Sequence, residues 1–343
     1  MKKMIANVCV LFLAMLTLVG CSAQKSDLNT DSASGTETVE VRMAYFPNIT
    51  HAQALVMKQE GSLENALGDG YEVSWTSFTA GSSEVEAIFA EEIDIGYIGP
   101  VPAINANVKS EGDVVVIANA ADAGAVLVVS ADSGISSVAD LDGKTVAVPQ
   151  VGNTQHLCLL NLLSENSLSP VSEGGTVEVV AVDNSNLQNM FDQGNLDAAL
   201  VPEPWGTILT ASDNIELLLD YQDIYLSGNY PVAVVVVRKD FMEEHPDAVE
   251  TFLQVHIDTT EAINMDLDGS ADAMIEEIEL ITGTEYEKDV ILSSFARTTV
   301  TTELNEDALW EFAQTCYEEE FIDEMPDESL IDLSVLENLQ EAE

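Results

Sequence analysis

The stretch YPVAVVVVRKDFMEEHPDAVETFL, residues 230–253, decides the fold. Residues 232–237 (VAVVVV) form an uninterrupted apolar, β-branched run, which suits a strand buried on both faces. Everything after it reads as helix: His245-Pro246-Asp247, Asp268-Gly269-Ser270 and Asn305-Glu306-Asp307 each mark a helix boundary. A purely helical tail must pack on a sheet already made, so residues 232–237 bring the chain back to one. Upstream, short strand-like runs alternate with amphipathic stretches. The runs are VEVRMAYF (39–46), YEVSWTSF (71–78), DIGYIG (94–99), VVVIANA (114–120), VLVVS (126–130), TVAVP (145–149), TVEVVAV (176–182), DAALV (197–201) and IELLLD (215–220). Helical patterns at 50–60, 84–92 and 154–165 lie between them. This alternation predicts an α/β protein of two lobes, each a mainly parallel sheet flanked by helices, with a helical C-terminal tail. The simplest path builds part of domain one (39–130), crosses to domain two (136–227), and returns to complete domain one (231–343). Two crossings make a hinge.

The N-terminus reads as an export signal. Met1-Lys2-Lys3 precedes an apolar run over 5–18, which is short of the ~20 residues that span a bilayer as a helix. Leu18-Val19-Gly20-Cys21 resembles the lipobox of bacterial lipoproteins. Residues 1–20 are therefore expected to be a lipoprotein signal peptide, Cys21 the lipidated membrane anchor, and residues 21–38 a disordered tether. The alternative is an ordinary signal peptide with a chance cysteine. Cys158 and Cys316 fall in helical patterns of different domains and read as small buried apolar residues rather than a disulfide. The net charge of −50, from 11 Lys and Arg against 61 Asp and Glu, excludes nucleic acid as a partner. The acidic residues are scattered over helix faces, as on a solvated surface.

In open α/β sheets ligands bind beyond the carboxyl ends of strands, where helix N-termini present free N–H groups. Five such loops carry residues suited to polar recognition. The first holds Asn48, Thr50 and His51; capping alone explains Asn48 and Thr50, and His51 at a helix start suits a neutral ring that donates. The second holds Gly81 and Ser82, with Ser83 and Glu86 matching a capping box. The third holds Tyr97, Gly99 and Pro100, and the fourth Gly152, Asn153 and Thr154. The fifth, Pro202-Glu203-Pro204-Trp205-Gly206, sets a carboxylate beside a rigid indole that serves either core or pocket floor.

Taken together, AGSSEVEAIFAEEIDIGYIGPVPAINANVKSEG (80–112), YFPNITHAQA (45–54), LDGKTVAVPQVGNTQ (141–155), VPEPWG (201–206), the 230–253 stretch and FARTTVTTELNEDALWEF (295–312) resemble the nitrate, taurine and aliphatic-sulfonate class of ABC-transporter solute-binding proteins. The resemblance implies a type II periplasmic-binding fold that closes over its ligand, an extracytoplasmic site, and an ABC permease with its ATPase as partners of a monomer. It also implies that the five loops supply the ligand contacts. One departure is visible: Ala120-Ala121-Asp122-Ala123-Gly124 is poorer in glycine than its counterparts. A small sulfonate or zwitterion such as taurine is the favoured solute, with its amine on Glu203; nitrate also fits. The alternative is a thiamine-precursor-like pyrimidine stacked on Trp205 and Tyr97. An enzyme is the weaker reading, because no nucleophile motif is present and the four histidines are scattered. No cofactor and no metal are expected, since no cluster has ligand spacing. For Arg297 a surface or interdomain ion pair is expected rather than ligand contact.

Overall fold

The computed structural model describes residues 38–342; the expected signal peptide, Cys21 and the tether up to residue 37 lie outside the described residues. The first strands are β1 (Val39–Tyr45), β2 (Tyr71–Ser77), β3 (Ile95–Ile98) and β4 (Val114–Ala123). Next come β5 (Ala125–Ser130), β6 (Thr145–Val148), β7 (Glu178–Ala181), β8 (Ala198–Pro202) and β9 (Ile215–Leu219), then β10 (Pro231–Arg238) and β11 (Thr298–Val300). They assort into a six-stranded sheet, β11-β4-β10-β3-β1-β2, and a five-stranded sheet, β7-β6-β8-β5-β9.

Both sheets are mixed, which refines the expectation of mainly parallel ones. β1 runs parallel to β2 and β3, and β6 parallel to β7 and β8, whereas β10 is antiparallel to β3 and β4, and β5 to β8 and β9. The reason is topological. The parallel strands end where the two sheets face each other, so a strand arriving from the other sheet must enter from that end and run against its neighbours. β5 enters the second sheet this way and β10 the first.

The first crossing falls at Gly124, not after residue 130, because β5 hydrogen-bonds within the second sheet. Ala123 and Gly124 both have left-handed backbones, with φ of 61° and 83°. A side chain on Gly124 would meet Thr298 Oγ1 at 2.4 Å, so glycine is required there. β11 was not expected: three residues are too short to show alternation, and it is tertiary pairing with Ala121–Ala123 of β4 that makes Thr298–Val300 a strand.

The fourth-loop helix spans Thr154–Glu165, as its pattern suggested, but the second-loop helix spans Gly81–Phe89 and begins before the expected 84. Ala80 is its N-cap, so Ser83 and Glu86 lie exposed within it and form no capping box. The tail packs on the first lobe through Pro246–Met265, which touches β11, and Leu267–Thr282, and both lie against the helix Ala52–Glu60. Buried Glu277 fastens the second of these helices, accepting from Tyr45 Oη, from Lys58 Nζ and, at 2.8 Å, from Gln59 Nε2. Beyond it the tail reaches across to the second sheet. Tyr286 meets the Trp205 ring edge-on at 6.2 Å, and Arg297 pairs with Asp220 at 2.7 Å and Glu203 at 3.1 Å. Arg297 thus makes an ion pair rather than a ligand contact. Cys158 and Cys316 are buried free thiols, and burial pushes both up.

Candidate functional site

The loops after β1, β2, β3, β6, β7 and β8 converge on two adjoining chambers that share Phe46, Asn48, Thr79 and Asn184. The first, of about 40 Å³, is lined by Thr50, His51, Gly81, Gly99, Asn153 and Thr154 among others. The second, of about 170 Å³, adds Pro47, Asp183, Ser185, Trp205, Ile281 and Thr282.

Two helix N-termini face the first chamber. Gly81 opens Gly81–Phe89, and Thr154 with Gln155 opens Thr154–Glu165, so unpaired N–H groups and the positive ends of two helix dipoles meet there. Asn153 caps its helix, accepting from His156 N at 2.8 Å. His51 is built into the wall: its ring stacks on Phe46 with centroids 4.8 Å apart, and its Nδ1 accepts from Phe46 N at 3.1 Å. Burial lowers its pKa to about 3, so the ring is neutral and its proton sits on Nε2. Among the described residues, none that lines either chamber is Lys or Arg. Recognition there rests on neutral donors.

Contacts bridge the two sheets over the chambers. Trp205 Nε1 donates to Asn48 Oδ1 at 2.7 Å, and Ser82 N donates to Gln150 Oε1 at 3.2 Å while Gln150 Nε2 donates to Ser82 Oγ. His156 stacks on Phe321 at 5.3 Å.

The structure therefore brings Asn48, Thr50, His51, Gly81, Gly99, Asn153 and Thr154 together in the first chamber and places Asn48 and Trp205 in the second. Ser82 lies on the bridge to Gln150 and lines neither chamber. Four further residues line neither. Tyr97 points into the core, where its hydroxyl meets His256 Nδ1 at 2.7 Å. Pro100 is buried as the first residue of its helix, and Pro102 lines the chamber in its place. Gly152 N is held by His156 Nδ1 at 3.1 Å. Glu203 is fully buried, its oxygens occupied by Thr207 N at 2.9 Å, Thr207 Oγ1 at 3.0 Å and Arg297 Nη1 at 3.1 Å. Burial raises the Glu203 pKa against the pull of Thr207 and Arg297, and the carboxylate, fully buried, faces neither chamber. The loop missed from sequence is Asp183-Asn184-Ser185. Its signal was there, a polar run directly after the strand at 176–182, but without an aromatic, proline or glycine it reads as an ordinary turn.

Behind the site, His256 Nε2 donates to Asn119 O at 2.8 Å, so Nδ1 accepts from Tyr97. Burial lowers His256 from 6.5 to about 4. A histidine held neutral contributes stability that is present above its unfolded pKa and lost as pH falls through the folded one. His256→Gln should therefore cost about 1–2 kcal/mol at pH 7.5. The deficit should narrow by up to about 2 kcal/mol at pH 5, as read from urea melts at the two pH values. A constant deficit would mean His256 titrates normally.

The NMT1-like family matches over residues 34–278. The chain is 31% identical over 224 residues to a taurine-binding periplasmic protein of Escherichia coli (strain K12), covering 65% of this chain and 66% of that one. It thus spans just under two thirds of that relative's length. In structure it is similar to the alkanesulfonate-binding protein SsuA from Xanthomonas axonopodis pv. citri bound to MOPS, with a TM-score of 0.69, 20% identity, and 87% and 98% of the two chains covered. It is also similar to the periplasmic nitrate-binding protein NrtA from Synechocystis PCC 6803, with a TM-score of 0.71, 12% identity, and 89% of each chain covered. These likenesses bear on the fold: two α/β lobes of periplasmic-binding type.

Proposed function

The chain belongs to the NMT1-like family, and from that premise we propose that it is the extracytoplasmic solute-binding component of an ABC importer, taking a small sulfonate-type solute between its two lobes. The observation that carries this reading is the first chamber, where neutral donors from both sheets and two helix N-termini converge with no cation present. A sulfonate spreads one negative charge over three oxygens and needs several convergent N–H and O–H groups rather than a salt bridge. The space suits it: about 40 Å³ is room for roughly three waters, enough for an oxyanion head, and the adjoining 170 Å³ receives an organic tail. The taurine-binding relative supports the same class.

The protein acts by binding and release, not turnover. The loops after β1 and β2 and those after β6 and β8 lie on opposite lobes, joined at Gly124 and before β10, so hinge opening would separate the donors and closure reunite them. The solute then passes to a permease driven by its ATPase, and the protein works as a monomer held at the membrane by lipid on Cys21. The acidic surface opposes an anion only over short distances, because exposed charges beyond ~8 Å are screened at physiological salt. The pyrimidine alternative loses one of its two stacking residues, since Tyr97 lies in the core.

A thermal-shift panel of taurine, ethanesulfonate, nitrate, bicarbonate and a thiamine-precursor pyrimidine tests the reading. A true ligand at a thousandfold over its Kd adds ~4 kcal/mol. Stabilisation by the sulfonates is expected. Stabilisation by the pyrimidine alone would overturn the proposal.

A further inference from the structure

We propose that the second chamber is a subsite for a cationic group, with Asp183 as the acceptor for an ammonium carried on the ligand's tail; the inference rests on the sulfonate reading of the first chamber. The two chambers differ in their polar lining, since the carboxylate Asp183 lines the second and not the first. The first offers donors from His51 Nε2–H, threonine hydroxyls and two helix N-termini. The second adds an anionic acceptor. Asp183 lines it, is exposed, and its carboxylate has no hydrogen-bond or ion-pair partner among the described residues. Asn184 lines both chambers, and its side-chain carbonyl Oδ1 is buried with no hydrogen-bond partner. A buried acceptor without a donor is costly, and an ammonium brings three donors at once. Trp205 lines the same chamber, and its indole N–H is already engaged by Asn48, so the ring is left to offer only its apolar and π surface, which tolerates or attracts a cation.

The alternative acceptor, Glu203, is fully buried against Thr207 and Arg297 and lines neither chamber. Asp183 is therefore the carboxylate placed to tell an ammonium-bearing solute from a neutral one of the same shape. Because the two chambers share Phe46, Asn48, Thr79 and Asn184, they adjoin, and a short spacer between anion and cation lets one molecule occupy both. The ligand class is thus a short zwitterion, anionic at one end and ammonium at the other.

Isothermal titration of the purified protein and of Asp183→Asn tests this with taurine and isethionate, which differ only by ammonium against hydroxyl. The wild type should bind taurine at least about tenfold more tightly than isethionate. Asp183→Asn should lose about that factor for taurine and leave isethionate within about twofold. Equal binding of the two compounds by the wild type, or an equal loss of both in the variant, overturns the inference. β-Alanine and 2-aminoethylphosphonate separate it from the sulfonate reading. If no sulfonate binds but one of these does, in an Asp183-dependent way, the sulfonate head group is wrong and the ammonium subsite stands. If no ammonium-bearing compound in the set binds, the subsite is refuted.

Discussion

His51→Phe is expected to weaken sulfonate binding by about a hundredfold, and the wild-type affinity it is compared with should be flat between pH 5.5 and 8. The phenyl ring can still stack on Phe46, so the change removes the Nε2–H donor and the Nδ1 acceptor rather than the ring. A hydrogen bond to a charged group contributes about 1.5–3 kcal/mol, and the Phe46 N–H that lies 3.1 Å from Nδ1 is left without its partner. The flat pH profile follows from burial, which holds His51 at about 3 and so neutral throughout that range. If the ring were instead protonated in the complex, affinity would rise about tenfold per pH unit below 6.5. Titration calorimetry at three pH values distinguishes the two, and an acid-enhanced affinity would refute the neutral donor. His51→Gln, which keeps a donor and an acceptor, should recover part of the loss; if it binds no better than Phe, the ring is needed for shape alone.

The fold was legible where the local pattern and the tertiary environment ask for the same thing. β10 is apolar up to Arg238 because both its faces are covered, so residues 232–237 announced the return of the chain unaided. Thr154–Glu165 was likewise plain, since Asn153 caps it locally. What was not legible depends on partners remote in sequence. β11 exists because β4 is beside it, and the direction of β5 is set by the side from which it enters its sheet. The site divides in the same way. Backbone-defined positions such as Gly81, Gly99 and Thr154 follow from the rule that strands end at the ligand. Glu203 and Tyr97 were assigned by chemical type, and type alone cannot say which way a side chain points. Glu203 met Arg297, 94 residues later, and Tyr97 met His256, 159 residues later. Asp183 was passed over for the converse reason, an unremarkable turn that the fold happens to bring to the chamber wall.

Glu203→Ala should destabilise the protein by about 3 kcal/mol, lowering Tm by roughly 6–12 °C, and should weaken every ligand by the same factor whether or not it carries an amine. Glu203 is fully buried and accepts from Thr207 N, Thr207 Oγ1 and Arg297 Nη1. Its removal leaves the first-turn N–H and hydroxyl of the helix Trp205–Thr210 without their acceptor and takes one of two anionic partners from Arg297, which keeps Asp220. The cost is close to that of breaking a buried pair rather than a surface one, because the carboxylate, though not the guanidinium, is wholly withdrawn from water. The effect on binding is indirect. Glu203 N is anchored to Gly124 O at 2.6 Å, at the crossing between sheets, and Trp205, two residues on, reaches Asn48 on the opposite loop. Loosening Glu203 therefore loosens the wall that Trp205 forms, without touching any group that reads the ligand's charge. A pair of titrations with taurine and isethionate separates this from direct recognition: a uniform loss assigns Glu203 to positioning Trp205, while a loss confined to taurine would return the ammonium to Glu203 and take it from Asp183.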